Sequence, residues 1–156
     1  MEPMNSVDEI LDFAIGQEEE SARFYTLLAT LTESEEMRPA FRGFAEEELG
    51  HKEKLLAIKQ DKSLAPAEKE ILDLNVADYL PDVKPSPDLD YLQALTMAMK
   101  GEKTAFKLYS DLASAAKDEA VRSILLALAQ EEAKHKVRFE LEYDDRTAGL
   151  APNPEM

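Results

Sequence analysis

The two histidines of this chain each stand three residues after a glutamate: Glu48-x-x-His51 within AEEELGH, and Glu132-x-x-His135 within AQEEAKH. Both segments read as helix. On a helix, residues three apart share a face, one turn from each other. Each pair can therefore aim a carboxylate oxygen and an imidazole nitrogen at one metal ion. Two further glutamates, Glu18 and Glu102, interrupt helical stripes that are otherwise apolar. A bare carboxylate in a bundle core is costly, and ionised groups are seldom buried without a partner or a metal. Two divalent cations would balance four carboxylates and leave both imidazoles neutral. Carboxylates can bridge two ions, and imidazole suits iron. One Glu from each of two helices, with a Glu-x-x-His from each of the other two, is the donor pattern of dinuclear iron and manganese sites in helical bundles. The predicted metal ligands are thus Glu18, Glu48, His51, Glu102, Glu132 and His135. Glu48 and Glu132, which lead the paired motifs, are the candidates for bridging carboxylates.

A single Glu-x-x-His in an acidic helical protein is usually a solvated coincidence. Two such pairs in register on apolar seams, with two more seam glutamates at one repeat offset, are a different matter. The bland alternatives are a decayed site, or carboxylates held by lysines and arginines that reach inward. Glu19, Glu20, Glu46, Glu47 and Glu131 adjoin the motif residues but lie off the seams, and are expected to be solvated. Tyr25 and Tyr109 lie on the seams, two turns from Glu18 and Glu102. Each hydroxyl needs a partner. Hydrogen bonds to ligand carboxylates and ordinary core packing fit them equally. Met97 and Met99 read as packing, since thioether is a poor ligand for hard ions.

Four helices must position these residues. Ser6 and Glu9 fit a capping box for a helix to about Thr30, with a stripe of Val7, Leu11, Ala14, Glu18, Ser21, Tyr25 and Leu28. A second helix, from about Glu35 to Gln60, carries Met37, Phe41, Phe44, Glu48, His51, Leu55 and Ile58. The alternating four-three spacing is that of a bundle seam. Residues 61–86 break the pattern with Pro66, Pro81 and Pro85, a length that suits a crossover along a bundle. Ser86 as N-cap and Pro87 at the first helical position start a third helix, with Leu95, Ala98, Glu102, Ala105, Tyr109 and Leu112. A short connection near Ser114 to Asp118 leads to the fourth, with Val121, Leu125, Leu128, Glu132, His135 and Phe139. From about Asp144 the chain reads as a tail. Ala14, Glu18, Tyr25, Ala45, Glu48 and His51 recur 84 residues later as Ala98, Glu102, Tyr109, Ala129, Glu132 and His135. That points to a duplicated hairpin. The expected architecture is all-α: a four-helix bundle over residues 1–143, made of two hairpins joined by a long crossover, then a tail over 144–156.

Composition narrows the function. The 156 residues suit one domain, and good helix formers dominate. A net charge of −15 argues against nucleic acid or an anionic membrane as partner. The absence of cysteine excludes disulfides, thiolate metal sites and cysteine nucleophiles. Neither a secretory signal nor a membrane span is read, so a cytoplasmic location is expected.

At these residues the chain resembles the rubrerythrin branch of the ferritin-like superfamily. The likeness covers about residues 6–143 and rests on four stretches. These are FAIGQEEESARFY with Glu18, FAEEELGHKEKL with Glu48 and His51, MAMKGEKTAFKLY with Glu102, and LAQEEAKHKVRF with Glu132 and His135. The resemblance implies a bundle with a carboxylate-rich di-iron centre. It implies reduction of hydrogen peroxide or oxygen, an external electron donor such as a rubredoxin-like protein, and a homodimer. Iron and manganese are not separated by ligand type. Two departures stand out. There is no cysteine for a rubredoxin domain, and Ala105 occupies the place of an extra carboxylate used by rubrerythrins. The type resembled is the stand-alone one. Iron handling of the ferroxidase type, without peroxidase turnover, and a structural bundle with an inactive site are the other readings of the same residues.

Overall fold

The structure is a computed structural model, and it describes residues 7–61, 90–116 and 118–148. Those residues form four helices: α1 (Val7–Leu31), α2 (Met37–Asp61), α3 (Tyr91–Ala115) and α4 (Glu119–Thr147). The expected all-α bundle of two hairpins is what is found, since α1 packs chiefly on α2 and α3 on α4. Weaker α1·α3 and α2·α4 contacts close the bundle.

Local chemistry sets the helix ends. Thr32 N–H donates to Leu28 O, closing α1. Ser34 Oγ accepts from Met37 N at 3.1 Å where α2 begins. Asp90 caps α3 in a reciprocal box with Gln93, which satisfies backbone donors left free by the helix start. The sequence pattern placed this start at Ser86. The cap is four residues later, and Ser86 lies outside the described residues, as does the Ser6 cap read for α1. Asp118 caps α4 by accepting from Val121 N. The fourth helix also outlasts its expected end near Asp144. Arg146 Nε donates to Glu142 Oε2 at 3.1 Å, and Thr147 Oγ1 to Tyr143 O at 2.9 Å, so polar side chains one turn apart carry it on to Thr147.

Helices α2 and α3 begin at the same end, where Phe41 and Tyr91 meet at 6.1 Å. The end of α2 and the start of α3 are thus at opposite ends of the bundle, and the crossover expected over residues 61–86 lies, after Asp61, outside the described residues. Those ends are about 37 Å apart for helices of this length.

The core falls into two clusters. One is mainly aliphatic: Ile10, Leu11, Leu55, Leu112, Leu125 and Leu128 are its largest fully buried members with Tyr109. The other is rich in rings, with Phe24, Tyr25, Phe41 and Phe139. Phe139 stacks on Phe41 at 6.0 Å and meets Tyr25 and Phe44 at 5.3 Å each. Met97 and Met99 pack against this second cluster, as read from their type. Along every helix the two clusters are separated at one level, and that level holds Glu18, Glu48 with His51, Glu102, and Glu132 with His135. Truncating the ring at the centre of the second cluster, Phe139→Ala, is expected to lower the unfolding free energy by about 3–5 kcal/mol. The exposed Leu141→Ser on the same helix should cost no more than about 0.5 kcal/mol. Urea unfolding followed by circular dichroism measures both, and equal effects would contradict the packing described.

Candidate metal centre

The four helices bring all six expected ligands together. Glu18, Glu48, His51, Glu102, Glu132 and His135 are each at most 3% exposed. They form two overlapping groups: Glu18, Glu48, His51 and Glu132, then Glu48, Glu102, Glu132 and His135. Within each group one ligand atom per residue lies within 4.8 Å of all the others. Glu48 and Glu132 belong to both groups. The imidazole rings of His51 and His135 lie 6.4 Å apart and nearly parallel, at 16°.

Both histidines turn Nδ1 inward. His51 Nδ1 is 2.8 Å from Glu132 Oε1, 3.5 Å from Glu18 Oε2 and 3.7 Å from Glu48 Oε1. His135 Nδ1 is 3.1 Å from Glu48 Oε1 and 3.5 Å from Glu102 Oε1. These approaches are close but not directed as hydrogen bonds. Among the described residues, eight buried side-chain atoms have no hydrogen-bond partner. They are Glu18 Oε2, both oxygens of Glu48 and of Glu102, Glu132 Oε1, and Nδ1 of each histidine. All eight belong to the six residues. Buried polar groups are otherwise almost always satisfied, so the unsatisfied atoms converge where cations would satisfy them. The donor set, carboxylates with imidazole, fits iron or manganese.

The outer nitrogen of each ring is held by an acid that sequence reasoning set aside. Glu131 accepts from His51 Nε2, and Glu47 from His135 Nε2. Their side chains are 42% and 58% exposed, so they are partly solvated as expected, yet each also grips a histidine from the opposite hairpin. They lie one position outside the seam, where α2 and α4 run side by side. The repeat carried the signal, because Glu47 and Glu131 are themselves 84 residues apart. Glu19 and Glu20 behave as expected of surface acids, near Lys52 at 3.9 Å and Arg23 at 2.6 Å. The two seam tyrosines part company. Tyr109 donates its hydroxyl to Glu18 Oε1, whereas Tyr25 meets His135 edge-on through its ring, at 6.2 Å.

Burial is the main force on the charges here. It holds Glu48 and Glu102 well above the usual carboxylate range, and the charges of Glu132 and Glu18 add to it. Burial works against a charged His51, but Glu132 and Glu18 outweigh it and push the imidazole up to about 10. Burial also disfavours a charged Glu132, yet its contacts with His51, Glu102 and Glu48 hold it below the ordinary value. Without metal, the cluster therefore keeps protons that an unfolded chain would release. A folded state that binds more protons loses stability as pH rises. The melting temperature of the metal-free protein is expected to fall from about pH 5 to about pH 10, the window between ordinary carboxylate values and that of His51. His51→Ala should make the part of the slope above about pH 7 shallower. Thermal unfolding with a chelator present, across that range, checks both; a flat or rising profile would contradict the raised values.

Comparisons with known proteins agree with this geometry. The Rubrerythrin family model matches the chain over residues 9–93 and 93–155. No curated protein sequence gives a significant match. A crystal structure described as a ferritin-like diiron-carboxylate protein from Thermotoga maritima superposes with a TM-score of 0.75. That superposition spans 94% of this chain and 100% of the other, at 22% identity. It shows that the fold is the ferritin-like four-helix bundle. With nearly its whole length matched by the family model, the chain belongs to the rubrerythrin family.

Proposed function

We propose that this protein is a di-iron carboxylate oxidoreductase that reduces hydrogen peroxide or oxygen, with electrons from an external donor such as a rubredoxin-like protein. The observation that supports it is the set of eight unpartnered atoms, all on Glu18, Glu48, His51, Glu102, Glu132 and His135. Glu18 with His51 would hold one iron and Glu102 with His135 the other. Glu48 and Glu132, common to both groups, would bridge them. When bound, the iron pair supplies the two electrons needed to reduce an O–O bond.

The chain's own residues do the rest. Glu131 and Glu47 accept hydrogen bonds from the Nε2–H groups, which fixes the tautomer in which Nδ1 faces the site and is the nitrogen free to bind a cation. The apolar clusters above and below keep bulk water out, which strengthens every electrostatic interaction inside. The near-complete burial of the six ligands favours a small oxidant over a bulky substrate. Carboxylates that keep their protons in the metal-free state would release them as cations bind.

Iron analysis after anaerobic Fe(II) loading is expected to give two irons per chain, and His51→Ala or His135→Ala fewer. Unchanged iron in both variants would remove the ligand assignment. Mixing the Fe(II)-loaded protein with peroxide, and separately with oxygen, should oxidise the iron in a single turnover seen in the visible spectrum. Inertness to both would remove the oxidoreductase reading and leave iron binding. Glu47→Ala and Glu131→Ala should each weaken metal binding by roughly 10–100-fold, as loss of an outer hydrogen-bond partner does; competition with a chelator of known affinity measures it.

A further inference from the structure

Beside the site, hydrogen bonding to the lone glutamates departs from the internal repeat. Glu18 and Glu102 occupy equivalent positions, and so do Tyr25 and Tyr109. Twofold symmetry would give each glutamate a tyrosine from the other hairpin. One of these bonds is made, from Tyr109 to Glu18 Oε1. Neither oxygen of Glu102 has a hydrogen-bond partner. Tyr25 is engaged by rings instead, with His135 at 6.2 Å and Phe139 at 5.3 Å. The outer hydrogen bonds of the histidines, by contrast, match, His51 with Glu131 and His135 with Glu47, although His135 also packs on the rings of Phe44 and Tyr25. The inequality in hydrogen bonding therefore falls on the two outer carboxylates.

On the dinuclear reading above, we infer that Tyr109 is a positioning residue that makes the two metal positions unequal. The position of Glu18 and His51 binds a divalent cation more tightly and fills first; that of Glu102 and His135 fills second. Tyr109 is 1% exposed and locked in the aliphatic cluster, so its hydroxyl is a fixed point. A hydrogen bond to Oε1 selects one orientation of Glu18 and leaves Oε2 facing the site. The cost of ordering that side chain is met before the cation arrives, which raises affinity. Glu102 has no such tether and must be ordered by the metal itself. Outer partners of this kind are worth on the order of 10–100-fold in affinity, and the two positions should differ by a similar factor.

The test is titration of the full, chelator-stripped protein with Co(II) alone, followed by visible absorption against a competing chelator. The expected result is two cobalts per chain, with constants about 10–100-fold apart. His51→Ala should abolish the tighter step and His135→Ala the weaker one. Tyr109→Phe should bring the two constants together, while Tyr25→Phe leaves their ratio unchanged. A purely structural role for Tyr109 would lower the melting temperature of Tyr109→Phe and leave the ratio as it was, which overturns the inference. Loss of the tighter step in His135→Ala overturns it too, and does not depend on the tyrosine variant folding. Those results leave two cobalts bound, so the dinuclear reading stands. Binding of one cobalt or none to the unmodified protein overturns both.

Discussion

Four carboxylates and two imidazoles share one layer of a bundle interior that is otherwise apolar. Like charges at such distances in a poorly solvated place repel strongly, and each unpartnered oxygen adds a desolvation cost. The protein can bear that layer only by keeping protons on it or by exchanging them for cations. Much else in the structure follows. Each helix must carry its interruption at the same height, so the core is cut into an aliphatic half and an aromatic half. The surface remains strongly acidic, but its acids are solvated and contribute little of this strain.

The same layer also joins the hairpins. Packing is heaviest within α1·α2 and within α3·α4. Several polar links cross from one hairpin to the other, among them three hydrogen bonds at the layer: Tyr109 to Glu18, Glu131 to His51, and Glu47 to His135. A fourth, Arg138 to Glu36 at 3.1 Å, is exposed and is worth little by itself. The residues most expensive to bury thus hold the two halves in register, as buried polar groups do in other bundles.

The six central residues were legible because a helical period reports which side chains point inward. A glutamate or histidine on such a seam stands out against Leu and Phe. Glu47 and Glu131 escaped because periodicity says nothing about the neighbouring helix. They point sideways, and only the closeness of α2 and α4 brings each to a histidine. Tyr25 and Tyr109 looked identical in sequence. What separates them is packing: rings gather around Tyr25 and leave Tyr109 among aliphatic residues next to Glu18. Helix ends were harder still. Ser86-Pro87 and Asp90 both satisfy capping chemistry in sequence, and the reciprocal bonds of Asp90 with Gln93 mark the observed start. The run after Asp144 has the polarity of a tail, yet the Glu142–Arg146 pair extends the helix through it.

Each hairpin brings one lone glutamate and one Glu-x-x-His. Two identical hairpins, paired antiparallel, would present the same six donors as a symmetric assembly. Within one chain the two hairpins need not stay alike. They differ beside the layer, where the Tyr109 hydroxyl reaches Glu18 and Tyr25 lies among rings, an inequality that a symmetric pair of identical hairpins could not hold.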